Sequence, residues 1–101
     1  MAKSWWQEAL ESNDPKLAEH VAATQQFIFT DGALTAKAKT LMGLFGDAML
    51  NHSGGVKALA ARARQQGASE EEINETVRMA FLWAGLPGLV IGTHAYPSDA
   101  G

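Results

Sequence analysis

Apolar residues recur three and four positions apart in several stretches of the chain, as they do on one face of an α-helix. No stretch of useful length alternates with the period of two that is typical of a strand, and no hairpin signal is present. The pattern predicts an all-α fold of five or six helices. The longest stripes are Leu17, Val21, Ala22, Ile28 and Phe29; Ala38, Leu41, Met42, Phe45, Ala48 and Met49; Val56, Leu59, Ala60 and Ala63; and Ile73, Val77, Ala80, Phe81 and Ala84.

Capping residues and helix breakers predict where these helices begin and end. Ser4 with Gln7, and Ser69 with Glu72, have the spacing of a capping box, and Pro15 suits the first position of a helix. The sequence GLP at 85–87 should end one helix and open another. We predict helices over residues 4–12, 15–29, 35–51, 52–66, 69–84 and 88–96, followed by a frayed tail over 97–101.

Gly43 and Gly46 interrupt the third apolar stripe. Each costs about 1 kcal/mol relative to alanine in a helix interior. We interpret them as points of close backbone approach, which would make this helix central and tightly packed. The four methionines are expected to fill gaps in the core.

Composition bounds the class of protein. The 101 residues carry no internal repeat and no linker, which favours one domain over residues 1–101. The last predicted helix is apolar on nearly every side, and a small monomer could hardly cover it, so we expect a homo-oligomer. A net charge of −3 without a basic cluster argues against nucleic acid. The apolar run 80–92 is too short to span a membrane, so we expect no membrane association and a cytoplasmic location.

The side chains present limit the chemistry. The chain has no cysteine, which excludes disulfides, thiolate nucleophiles and thiol peroxidase activity. Its three histidines, His20, His52 and His94, have no metal-ligand spacing, so we expect no metal and no cofactor. The sequence SGG at 53–55 resembles a phosphate-binding loop only loosely. A flexible helix entry explains it more simply.

Three segments, residues 34–44, 56–75 and 80–94, resemble the carboxymuconolactone decarboxylase family, which includes the alkylhydroperoxidase D-like proteins. Glycine, Glu-Glu-Ile and Ala-Gly-Leu-Pro follow one another in the family's order and spacing. The resemblance covers about residues 31–96. It implies an all-α subunit that assembles into a homotrimer or homohexamer, with sites at or near subunit interfaces.

The family's reactive residues are largely missing. The Cys-x-x-Cys-x-x-x-His motif of the peroxidase branch falls on His52, Gly55 and Leu59, and its proton-relay Glu falls near Thr40. None of these matches, so the resemblance does not imply peroxidase activity. The decarboxylase branch also has a His at position 59, but its second His, after Gly-Leu-Pro, matches His94.

Two functions therefore remain open. The first is a small lyase or isomerase that acts on a carboxylated lactone-like substrate, with His52 and His94 as catalytic proton-transfer groups and Ser53, Gly54 and Gly55 as ligand-binding residues. It requires both histidines to meet in one pocket, within a subunit or across an interface. The second is a non-catalytic oligomeric protein that binds a small molecule or serves as a scaffold. For His94 itself the alternative interpretation is a core residue without a catalytic role.

Overall fold

The structure, a computed structural model, describes residues 4–97, and these form α-helices joined by short connections. No strand occurs in residues 4–97, which confirms the predicted all-α class. The predicted tail lies almost entirely outside the described residues. The helices are α1 (Trp5–Asn13), α2 (Pro15–Phe29), α3 (Ala36–Met49), α4 (Ser53–Gln65) and α5 (Glu70–Gly92), followed by a 3-10 turn (Thr93–Ala95).

Local hydrogen bonds explain where the helices begin. The Ser4 backbone N–H donates to Oε1 of Gln7 over 2.7 Å at the start of α1. At the start of α5, the Glu72 N–H donates to the Ser69 hydroxyl over 3.0 Å, and the Ser69 N–H donates to Oε1 of Glu72 over 2.9 Å. These reciprocal bonds satisfy amides that have no partner inside the helix. Both predicted capping boxes are confirmed.

The chain divides into two compact units, Met1–Thr30 and Asp31–Gly101. The first contains α1 and α2, which pack on each other around a small crevice lined by Trp6, Leu10 and Val21. Neither helix has a fully buried residue. The adjacent tryptophans face different ways, since Trp5 is 81% exposed and Trp6 only 38%.

The second unit has α3 at its centre, packed against α4 and α5. Its core consists of fully or almost fully buried residues from these helices and the 3-10 turn: Leu44, Ala48, Val56, Ala60, Ile73, Val77, Ala80 and Ala95. The predicted close approach is confirmed at Gly43 and is wrong at Gly46. A Cβ on Gly43 would lie 3.1 Å from Cδ1 of Leu59, whereas a Cβ on Gly46 would meet nothing within 4 Å.

Regular helix is interrupted at the predicted glycine–proline break, because the backbone of Gly85 is non-helical, and α5 therefore consists of two helical segments joined by a kink, as predicted. Gly85 has φ 69°, a left-handed conformation that favours glycine. The predicted last helix over 88–96 is too long, because regular α-helix stops at Gly92. The Thr93 hydroxyl donates to the Val90 carbonyl over 2.6 Å, and the Tyr96 N–H donates to the Thr93 carbonyl over 3.0 Å, which tightens the chain into the 3-10 turn.

Large apolar side chains remain exposed along α5. They include Phe81, Leu82, Trp83, Leu86 and Val90. Met42, Met49 and Met79 are also exposed, so the prediction that methionines fill the core is wrong for these three. By length and composition, residues 70–95 could span a membrane, and only 22% of that apolar window is buried. Core helices of soluble proteins pass the same test, so this is weak evidence for a membrane span.

Candidate functional site

Helix α4 has two opposite faces that make different contacts. Gly55 and Leu59 lie on the face toward α3, where a Cβ on Gly55 would overlap the Asp47 carboxylate and Leu59 approaches Gly43. Lys57 lies two residues from each of them, roughly 200° around the helix. It shares a second face with Arg64, and this face is directed toward the 3-10 turn. The positions of the family's reactive motif are therefore on the first face.

His52 is the N-cap residue of α4 and is paired with Asp47, near the end of α3. Its Nδ1 lies 3.3 Å from Oδ1 of Asp47, and its backbone N–H donates to the Asp47 carbonyl over 2.8 Å. The imidazole is 61% exposed. An aspartate that accepts from Nδ1–H orients the ring and leaves Nε2 as the basic nitrogen, which is the arrangement of a general base. Sequence reasoning missed Asp47, whose only signal was its place five residues before His52.

Ser53, Gly54 and Gly55, the predicted ligand-binding residues, form the first turn of α4 and not an open loop. Gly54 is exposed, with open space where a Cβ would stand. Because Gly55 has no side chain, the Asp47 carboxylate can lie close to its backbone. Gly55 therefore contacts Asp47 of the same chain, and Gly54 is the predicted ligand-binding glycine that faces solvent.

His94 lies in a separate cavity of about 460 Å³ between α4 and residues 93–97. The His94 side chain is exposed and is not the core residue that the alternative interpretation expected. Neither His52 nor residues 53–55 line this cavity, so the two histidines do not share it within one chain. Its lining consists of Lys57, Ala61, Arg64, Thr93, His94, Ala95, Tyr96 and Pro97.

Arg64 joins three parts of this site. Its Nε and Nη2 donate to the two carboxylate oxygens of Glu70, each over 2.8 Å, and Nη2 also donates to the Ala95 carbonyl over 2.9 Å. The hydrogen bond from Arg64 lowers the pKa of Glu70, and the same bond raises the pKa of Arg64. Arg64 therefore links the end of α4 and the start of α5 to the turn that carries His94.

The positions at which the resemblance would place acid–base groups hold inert side chains. Leu59 is partly buried and packs against the core. Thr40 is fully buried, and its hydroxyl donates to the Ala36 carbonyl over 3.0 Å. Within residues 4–97, no group of three His, Cys, Asp or Glu side chains could hold a metal ion.

Comparisons with known proteins agree with this fold and with the resemblance. The model of the carboxymuconolactone decarboxylase family matches residues 15–92, and the chain belongs to this family. The chain is also similar to a protein of the archaeon Methanocaldococcus jannaschii named Uncharacterized protein MJ1511. The two are 29% identical over 94 residues, which cover 93% of this chain and 88% of the relative. No solved structure matches the chain.

Proposed function

We propose that the protein is a small lyase or isomerase that acts on a carboxylated lactone-like substrate, with His94 as its proton-transfer group. The observation that carries the proposal is the placement of His94. It is exposed to a cavity whose volume lies in the range of small-molecule sites, and among residues 4–97 no carboxylate lines that cavity. An imidazole ring nitrogen can accept a proton from a substrate and return it, as a lactone rearrangement or decarboxylation requires.

His52 has a different place in this proposal. Its pairing with Asp47 suits a base, but it lies outside the cavity of its own chain. We propose that it reaches a substrate only where a neighbouring subunit closes the site. A homotrimer or homohexamer would supply that neighbour, and the exposed Phe81, Trp83 and Leu86 offer apolar surface for such an assembly. Light scattering should then give three or six times the 10.8 kDa mass of one chain.

The test is a decarboxylation and isomerisation screen with carboxylated lactones, run on the unaltered protein and on three alanine variants. His94→Ala should lower turnover by roughly 10²–10⁴-fold, the usual contribution of general acid–base catalysis. His52→Ala should lower it only if a second subunit completes the site. His20→Ala, on the exposed surface of α2, is the matched control. Unchanged turnover in His94→Ala would refute the proposal.

A non-catalytic binding or scaffold role is the second candidate, and a specific observation favours it. Leu59 and Thr40 fill the positions of the family's acid–base residues with packed, chemically inert side chains. On this hypothesis the cavity holds a small molecule without converting it. A co-purified ligand that the protein releases unchanged would support this role, and reproducible turnover would exclude it.

We also propose a location in the cytoplasm and not in a membrane. The residues Ile73, Val77 and Ala80 of α5 are buried against the rest of the second unit, as in a globular core. Recovery of the protein in the membrane fraction after cell lysis would contradict this proposal.

A further inference from the structure

We propose that the second face of α4 binds a small organic anion, with Lys57 as its counter-charge and Arg64 as the positioning residue that holds the opposite wall. The inference rests on the proposed function and concerns the same cavity. It names the residue that selects the ligand's charge. This face is the one turned away from the family's reactive positions 55 and 59.

Lys57 is available for a ligand. Its side chain is exposed, and within residues 4–97 it forms no ion pair. Acidic side chains are absent from the described lining of the cavity, although the protein as a whole has a net charge of −3. An ammonium group that faces a partly enclosed space without a carboxylate partner attracts an anion more strongly than the same group in open solvent.

The spacing along α4 leaves room for this ligand. Lys57 and Arg64 are seven residues apart, about two turns, so they lie on one face and roughly 10 Å apart along the helix axis. Ala61 stands between them and contributes only a methyl group to the wall. A small anion can therefore lie against the helix at Ala61, with the Lys57 ammonium at one end.

Arg64 has a different role because its charge is already matched. Glu70 takes two of its hydrogen bonds, and the Ala95 carbonyl takes a third. Ala95 is buried, so this bond fixes the backbone beside His94 against α4. Lysine could not make these bonds together, because it lacks the planar fork of the guanidinium.

The experiment is isothermal titration calorimetry at low ionic strength, with sodium succinate as the carboxylate probe and inorganic phosphate in a parallel arm. Succinamide, which has a similar shape without charge, tests whether charge is required. Lys57→Gln should weaken binding of the preferred anion about tenfold or more, as expected for loss of a charge-assisted hydrogen bond. Lys57→Arg should bind within about threefold of the unaltered protein. Lys16→Gln makes the same charge change on α2 and should have no effect.

Several results would overturn the inference. The first is that Lys57→Gln binds the anion as tightly as the unaltered protein does. The second is that succinamide binds as tightly as succinate, and the third is that the unaltered protein binds neither anion. Arg64→Lys keeps the charge and should still bind the anion, but more weakly. If Arg64→Lys loses affinity but keeps the Tm of the unaltered protein, the loss is caused by positioning and not by unfolding. Unchanged affinity would refute the positioning role.

The inference and the proposed function can fail separately. If His94→Ala abolishes turnover while Lys57→Gln leaves the KM unchanged, the anion site is wrong and the catalytic proposal stands. If no lactone is converted but succinate binding depends on Lys57, the catalytic proposal is wrong and the anion site stands.

Discussion

Alanine should have opposite effects on stability at Gly46 and Gly88, because the two glycines have different surroundings. A Cβ on Gly46, inside α3, would meet nothing within 4 Å. A Cβ on Gly88, just after the bend in α5, would stand 2.6 Å from Cβ of Ala84 and 2.8 Å from the Ala80 carbonyl oxygen. Both distances are shorter than van der Waals contact, and the oxygen belongs to the backbone, so it cannot rotate away.

The magnitudes follow from helix propensity and packing. Gly46→Ala removes the conformational penalty of glycine and should stabilise the fold by up to about 1 kcal/mol. Gly88→Ala gains the same term of about 1 kcal/mol, but its overpacking cost should lie at the upper end of the usual range, about 2–3 kcal/mol, because a backbone oxygen cannot move aside, so we expect a net loss of about 1–2 kcal/mol. For a domain of this size, each kcal/mol shifts Tm by roughly 4–8 °C. The two variants should therefore differ in stability by about 1–3 kcal/mol, and Gly46→Ala should melt on the order of 4–24 °C above Gly88→Ala.

Thermal unfolding followed by far-ultraviolet circular dichroism is the assay, with both variants at the same protein concentration. Gly54→Ala, which also faces open space, is a control that should not destabilise the protein. If Gly88→Ala melts at or above the unaltered Tm, the close approach at the bend is wrong. If Gly46→Ala loses stability, the assignment of open space around Gly46 is wrong.

Three further predictions concern the core, a cap and the response to acid. Leu44→Ala, at a fully buried position, should lose about 2–5 kcal/mol in denaturant unfolding, and a loss below about 1 kcal/mol would contradict the assigned core. Ser69→Ala removes the capping box of α5 and should cost about 1 kcal/mol, whereas Ser69→Asp should retain most of the stability. The pKa of Glu72 is lowered from 4.5, first by the hydrogen bond from the Ser69 backbone and then by Lys37. The stability that these bonds contribute is therefore present above pH 4.5 and is lost as the pH falls through the lower pKa of Glu72 in the folded protein. Tm should thus fall on acidification below about pH 5, and Glu72→Gln should flatten that fall; an unchanged pH profile would refute the assignment.

The sequence predicted the helices well because their signals are local. The capping boxes at Ser4 and Ser69 need only a few neighbouring residues. The bend at Gly85 was also visible. The end of α5 at Gly92 depends on the hydrogen bonds of Thr93 and Tyr96, which periodicity does not describe.

The candidate site was predicted less well, because the placement of its residues depends on which helix faces pack against each other. Spacing alone could not show that His94 lines the same cavity as Lys57, whereas His52 is paired with Asp47 near the end of α3. Periodicity marks an apolar face but not what covers it. This is why Met42, expected in the core, is exposed in the single chain.

We propose that the functional face of α4 is the one beside His94 and not the one that carries the family's reactive positions. Methyl NMR spectroscopy of the alanine- and leucine-labelled protein, titrated with succinate, tests this claim directly, and it suits a large oligomer. Ala61 and Ala95 line the His94 cavity, whereas Leu59 faces α3. We predict that the Ala61 and Ala95 methyl signals shift while those of Leu59 stay in place. Shifts of Leu59 without shifts of Ala61 and Ala95 would contradict the account.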